Sequence, residues 1–241
     1  MTSNNIYGRN AILLALKYNQ VTKIYISKTV NSNYRKLVES SFKNNSIIEV
    51  EKDFLDEITN GANHQGIVAE VINYNYSSTD EILGPVKKKN KKGLIVVLDH
   101  IEDPHNFGAI IRSCVAAGVD GIIIPKNRQA LVNSSVIKSS SGNAYIAKIA
   151  KVTNLSREIE ELKKSGMWVY CLDSKGENLY KSRLTDNIVL VVGNEGTGIS
   201  ENIKKHSDGV ISIPMSEDVE SLNVSVACSV ALYETYRQRN V

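Results

Sequence analysis

Cysteine is scarce in this sequence. Three residues, Cys114, Cys171 and Cys228, stand far apart in 241 positions, and their number is odd. They suit buried thiols in a reducing compartment and argue against a disulfide framework. Long apolar runs are missing as well: none reaches the roughly 18 residues that a membrane span needs. The opening MTSNNIYGRN lacks the basic-then-apolar pattern of a secretory leader. A cytoplasmic location and no membrane partner are therefore expected. The four histidines share no metal-ligand spacing with one another or with cysteine, so no metal is expected.

What is present is an ordinary globular composition, 42% hydrophobic and 23% charged, enough for one large core or two modest ones. The formal charge of +3 is unevenly placed. Residues 1–86 hold eight Lys/Arg against nine Asp/Glu, and residues 93–241 hold sixteen against seventeen, so each part carries −1. The run Lys87-Lys88-Lys89-Asn90-Lys91-Lys92 alone adds +5. It reads either as a solvated linker or as a strap that meets phosphates.

Periodicity divides the chain at that run. Ala11–Leu16 fits a helix, Lys23–Ile26 a strand, Tyr34–Phe42 a helix, Ile47–Val50 a strand, Phe54–Ile58 a helix and Ile67–Val71 a strand. This makes residues 1–76 a compact α/β domain. Residues 77–92 lose periodicity, contain Gly84-Pro85 and read as a basic linker. From 93 to 241 stronger strands recur at Leu94–Leu98, Gly121–Ile124, Trp168–Leu172, Ile188–Val192 and Val210–Ile213. Helical stretches separate several of them, the pattern of a parallel sheet covered on both faces.

Ligands of such sheets bind beyond the carboxyl ends of the strands, which directs attention to three loops. After the first strand, Pro104 opens a helix whose apolar stripe is Phe107, Ile110, Ile111, Cys114 and Val115. Arg112 lies off the stripe, one turn beyond Gly108, and its side chain leans back toward Asn106. Asn106 reads either as the helix cap or as a functional amide, and Arg112 as a solvated charge or its partner. After the fourth strand comes Gly193-Asn194-Glu195-Gly196-Thr197-Gly198. The order G-x-x-G-x-G is neither the dinucleotide fingerprint nor a P-loop, and Glu195 would repel phosphate. The third loop carries Ile213-Pro214-Met215 and then Ser221-Leu222-Asn223 at a helix start, where Ser221 could be the cap.

Taken in order, N-x-G-A-x-x-R, L-V-V-G-N-E-G-x-G-x-S and I-P-M followed by S-L-N-V-S-x-A resemble the three signature motifs of SpoU/TrmH methyltransferases, over residues 94 to about 235. The resemblance implies an α/β-knot (SPOUT) domain with a trefoil knot, an exception to unknotted chains. It also implies S-adenosylmethionine as methyl donor and a homodimer. Matched to the motifs, Asn106, Arg112, Glu195, Ser221 and Asn223 form the implied catalytic set. Gly193, Ile213, Met215 and Leu222 are the implied donor-binding positions.

Ile6-Tyr7-Gly8-Arg9-Asn10-Ala11 and Asn63-His64-Gln65-Gly66-Ile67 resemble the L30e-like substrate-binding domain of the RlmB-like branch. Val152-Thr153-Asn154-Leu155 is similar to that branch too. That branch methylates a guanosine 2′-hydroxyl in the P loop of 23S ribosomal RNA. The implied RNA contacts are Arg9, His64 and Gln65, with Lys87, Lys88, Lys89, Lys91 and Lys92 of the basic run. Asn143 and Lys148 depart from the pattern, which usually has Ala and often Pro there. Other readings are 2′-O-methylation of another ribosomal or transfer RNA nucleotide, as in a resistance-type enzyme, and a catalytically silent RNA-binding protein. A Rossmann methyltransferase would need a glycine-rich turn after its first strand, where this chain has Asp99-His100-Ile101-Glu102-Asp103-Pro104.

Overall fold

The computed structural model describes residues 5–42, 46–88 and 92–240. The elements begin with β1 (Asn5–Tyr7), α1 (Arg9–Lys17), β2 (Val21–Ser27), α2 (Ser32–Ser41), β3 (Ile47–Val50), α3 (Lys52–Ile58) and β4 (Ile67–Val71). Next come α4 (Thr79–Lys88), β5 (Leu94–Asp99), α5 (Pro104–Ala116), β6 (Gly121–Pro125) and α6 (Ser134–Ser139). The chain ends with β7 (Ile149–Val152), α7 (Leu155–Lys164), β8 (Trp168–Asn178), β9 (Ile188–Gly193), α8 (Glu201–His206), β10 (Gly209–Ser212) and α9 (Val224–Asn240). They form two compact units, Met1–Asn75 with Leu131–Ile146, and Tyr76–Ala130 with Ala147–Val241.

The first unit holds a mixed sheet in the order β1-β4-β2-β3. β4 runs antiparallel to both neighbours, whereas β2 and β3 are parallel. Ile24, Ile26, Ile67, Val68 and Ala69 are buried on the paired strands. Periodicity does not disclose that 131–146, far along the chain, packs into this unit. Lys138 of α6 sits 4.3 Å from the centre of the Tyr7 ring. Gly142, at φ +83°, brings the following turn against α1, where an added Cβ would stand 3.0 Å from Ala11 Cα.

The second unit is a six-stranded parallel sheet, β10-β8-β9-β5-β6-β7. Every residue of β5, β6 and β9 is buried, as a sheet covered on both faces requires. On α5 the stripe Phe107, Ile110, Ile111 and Cys114 is buried and Val115 half-buried. All three cysteines are free and buried.

The stretch 77–92, expected to be an aperiodic linker, contains α4, a correction with an identifiable cause. Ser78 and Glu81 form a capping box: Glu81 N–H donates to Ser78 Oγ and Ser78 N–H to Glu81 Oε2. Ile82, Leu83 and Val86 are buried, the first two in the core of the second unit. Pro85 hides the helix from a sequence reading because it has no N–H for the carbonyl of Glu81. Lys148 supplies the missing donor, its Nζ 2.9 Å from that oxygen. Among the described residues no helix is long and apolar enough to cross a membrane.

Candidate active site

The site assembles at the carboxyl edge of the large sheet. Asp99 ends β5 with 2% of its surface exposed. Its Oδ2 accepts from the Ser200 N–H at 2.8 Å, and its Oδ1 from His100 Nδ1 at 2.6 Å. The first bond anchors the loop that leaves β9, whose Gly193 lies opposite Asp99 in the sheet. Within that loop Asn194 and Gly198 exchange backbone hydrogen bonds. Asn194 Oδ1 accepts from the N–H groups of Gly196 and Thr197, and its Nδ2 donates to the carbonyl of His100 at 2.8 Å. Gly193 is required by packing: an added Cβ would overlap the backbone of Gly198 and Ile199. Gly198 is required by its φ of +68°.

The cap of α5 is Asp103, which accepts from the His105 N–H at 2.9 Å. The capping reading of Asn106 is thereby corrected, and its amide is free for other work. Asn106 Nδ2 donates to Glu195 Oε1 at 2.6 Å, and its Oδ1 accepts from Asn223 Nδ2 at 3.0 Å. Asn223, not Ser221, caps α9, since its Oδ1 accepts from the N–H of Ser225 at 2.9 Å. This cap sets the polarity of the whole chain. With its oxygen held by the helix N-terminus, Asn223 must present N–H groups to Asn106, and Asn106 in turn must present N–H groups to Glu195.

Beside this chain lies a cavity of about 180 Å³. Gly193, Ile213, Met215 and Leu222 all line it, together with Glu195 and Ser221. Asn106 and Asn223 join it through Glu195. Arg112 is exposed on α5 and is not a lining residue. Sequence reasoning missed Asn194 and the middle of β8, just past its pairing with β9, where Leu172, Asp173 and Ser174 complete the wall. An acid beyond an apolar strand run, Cys171-Leu172-Asp173, was the available signal. Burial alone would raise the Asp173 carboxyl, but Lys204 Nζ at 2.9 Å and the Lys175 N–H hold it below its ordinary value. The wall therefore carries a charged carboxylate. Among the described residues no group of three or more His, Cys, Asp or Glu is arranged to hold a metal.

The expected RNA-contacting residues fare unevenly. Arg9 is exposed, its guanidinium 5.3 Å from the centre of the Tyr34 ring. His64 is only 4% exposed. Its Nδ1 accepts from the Gly66 N–H at 3.0 Å, so Nε2 carries the proton and donates to Asp56 at 2.9 Å. No ring nitrogen remains for RNA, which corrects the direct-contact expectation for His64 to that of a turn anchor. Gln65, at φ +54°, is exposed by the turn that His64 braces. Lys87 and Lys88 are exposed in the last turn of α4. Lys92 is exposed and 3.7 Å from Asp186. Lys89 and Lys91 lie outside the described residues.

Residues 93–233 match the SpoU rRNA Methylase family. The chain belongs to that family. Residues 5–77 match a second family, RNA 2′-O ribose methyltransferase substrate binding. An uncharacterized tRNA/rRNA methyltransferase of Synechocystis is 38% identical over 239 residues, which cover 97% of this chain but 62% of that protein. The 23S rRNA (guanosine-2′-O-)-methyltransferase RlmB of Xanthomonas campestris is 38% identical over 218 residues, 84% of this chain and 88% of its own. In structure, the SpoU methyltransferase AviRb from Streptomyces viridochromogenes, solved with AdoMet, superposes with a TM-score of 0.81 at 25% identity. That match covers 97% of this chain and 89% of AviRb.

Proposed function

We propose that this SpoU-family methyltransferase transfers a methyl group from S-adenosylmethionine to the ribose 2′-oxygen of a guanosine in 23S ribosomal RNA, without a metal. The observation that carries the reading is the hydrogen-bonded series Glu195–Asn106–Asn223 beside the cavity lined by Gly193, Ile213, Met215 and Leu222. The donor fits that cavity by its chemistry. Apolar walls suit an adenine ring, and carboxylates at Asp173 and Glu195 favour positive charge. When bound, the donor supplies an electrophilic methyl group on a sulfonium.

The chain's own residues do the positioning. Asn106 and Asn223 hold Glu195 in one orientation, and α9's N-terminus holds them. Arg112 keeps its charge, as guanidinium groups do, and so serves the 2′-oxygen by stabilising developing negative charge rather than by taking its proton. The proton leaves to phosphate or water. Arg9, Gln65 and the lysines at the end of α4 contribute RNA affinity. The working form is a cytoplasmic homodimer; Val226, Tyr233 and Tyr236 are exposed on α9, 49%, 52% and 46%, and offer apolar surface for a second copy.

The test is incubation of the purified chain with labelled donor and 23S ribosomal RNA, with and without chelator, followed by mapping of the product. Label at one guanosine 2′-oxygen, insensitive to chelator, is expected. Label on a base atom, or on transfer RNA alone, overturns the assignment.

A further inference from the structure

The carboxyl edge of the large sheet carries a second depression, of about 330 Å³, beyond the ends of β5, β6 and β7. The donor cavity lies on the other side, beyond the ends of β9 and β10 and against the middle of β8. The β9–α8 loop separates the two, contributing Gly193, Asn194, Glu195 and Gly198 to the first and Ser200 to the second. The second depression also takes in Thr153 and Asn154 of the Val152-Thr153-Asn154-Leu155 motif, for which the methyl-transfer chemistry has no use.

Its lining is made for an anion with polar neighbours. Arg128 and Asn127 are exposed, and neither has a hydrogen bond or ion pair to another described residue. The loop bearing them is nonetheless fixed at both ends. Lys126 N–H donates to the Val152 carbonyl at 2.9 Å, Ala130 N–H to Ile101 O at 2.8 Å, and Ile101 N–H to Gln129 Oε1 at 2.8 Å. Arg128 is thus held out on a rigid loop, at φ +49°, a conformation unfavourable to a non-glycine residue. Asp99 is the one carboxylate among the lining residues, and both its oxygens are already engaged. It orients His100 through Nδ1 and leaves Nε2 without a partner among the described residues, able to accept from a hydroxyl or, when protonated, to donate to a phosphate.

We propose that this depression is a second RNA subsite, in which Arg128 holds a phosphodiester group of the substrate and His100 meets the same nucleotide unit. The inference rests on the reading that the substrate is RNA. It adds a positioning contact on the far side of the Glu195 loop, tied to it by Asn194 Nδ2 on the His100 carbonyl. A nucleotide seated there sets where its neighbour lies relative to the donor cavity.

The experiment uses the full chain, Arg128→Gln, Arg128→Lys and His100→Gln. Binding to a 23S ribosomal RNA fragment is titrated over a salt series, and donor binding is followed by calorimetry. Loss of one phosphate contact lowers the log–log salt slope by about 1 in Arg128→Gln. The RNA KM rises about five- to tenfold with donor affinity unchanged, and Arg128→Lys retains the slope because it keeps the charge. By NMR, the His100 imidazole, recognised by its loss in His100→Gln, shifts on addition of a ribodinucleoside monophosphate, and the response disappears in Arg128→Gln. Equal response to inorganic phosphate at the same concentration would make this a free-anion site and overturn the RNA subsite. An unchanged slope in Arg128→Gln, with wild-type RNA binding intact, overturns this inference alone. A wild-type chain that binds no RNA overturns the methyltransferase reading and this one with it.

Discussion

The two units are built from the same ingredients and use them differently. In the large sheet β5 and β9 are buried along their whole length, so polar chemistry is expelled to the loops at their carboxyl ends. There Asn106 bonds Glu195 and Asn223, while Asp99 bonds Ser200 and Asn194 bonds the carbonyl of His100, each pair about 90 to 120 residues apart in sequence. The small sheet has an exposed edge in β3, where Ile48 and Glu49 face solvent, and although Tyr25 reaches across the sheet to Glu70, the polar residues of its 56–66 turn bond close to home. His64 reaches Asp56 and Gly66, eight and two positions away. A parallel sheet with crossover connections gathers distant residues to one edge, whereas the tight turn of a mixed sheet organises its neighbours. The same residue types therefore make a site in one unit and a brace in the other.

The comparison breaks most visibly at Gly193. Gly193→Ala drives a methyl group into the backbone of Gly198 and Ile199, so the loop must move. A loss of about 3 kcal/mol is expected, with donor binding abolished. Denaturant melts and calorimetry read the two effects. A variant that binds donor normally would show that the loop tolerates what this packing forbids.

Asn106→Asp sharpens the contrast by placing a second carboxylate against Glu195. The donated hydrogen bond at 2.6 Å becomes a like-charge contact, while the fold, whose cap on α5 is Asp103, is retained. Single-turnover methylation should fall about 100- to 1000-fold, the scale of losing one well-placed polar contact in a reacting site. Donor affinity should change less than the rate. Equal losses in both would make Asn106 a donor-binding residue instead.

The smallest effect belongs to the brace. The hydrogen bond from His64, opposed by partial desolvation and aided by Lys52, holds the Asp56 carboxyl below its ordinary value of 3.8. A depressed carboxyl contributes stability above its unfolded pKa and loses it as pH falls through the folded value. Acid below about pH 4 should therefore loosen the 56–66 turn of the full chain, seen as faster amide exchange at Gly66. In His64→Gln that acid dependence should shrink, while exchange near neutral pH rises modestly. Weakened RNA binding without any change in exchange would return His64 to direct contact.

Much of this was legible in advance because the signals are local. Apolar runs at Leu94–Leu98 and Ile188–Val192 have one stable use, a buried strand, and they are β5 and β9. The loops after them carry glycines and isolated polar residues whose order already resembles a methyltransferase, and the four positions expected to hold a donor line one cavity. Less legible were features whose reason lies elsewhere in the chain. α4 looked like a linker because the donor that tolerates Pro85 is Lys148, more than sixty residues on. His64 looked available because its partner Asp56 belongs to a different element.

By itself, then, the sequence determined which segments must be buried, where the chain turns, and which polar residues sit at those turns, since helix and strand periods and glycine's freedom act over a few residues. The tertiary structure alone decided which of those residues meet. Asn106 became a link because Asp103 took the cap, Glu195 faced it because Asp99 anchors the β9 loop, and Asn223 oriented both because it caps α9. A hydrogen bond needs its partners within about 3 Å, and only the closed fold brings residues more than a hundred positions apart to that distance.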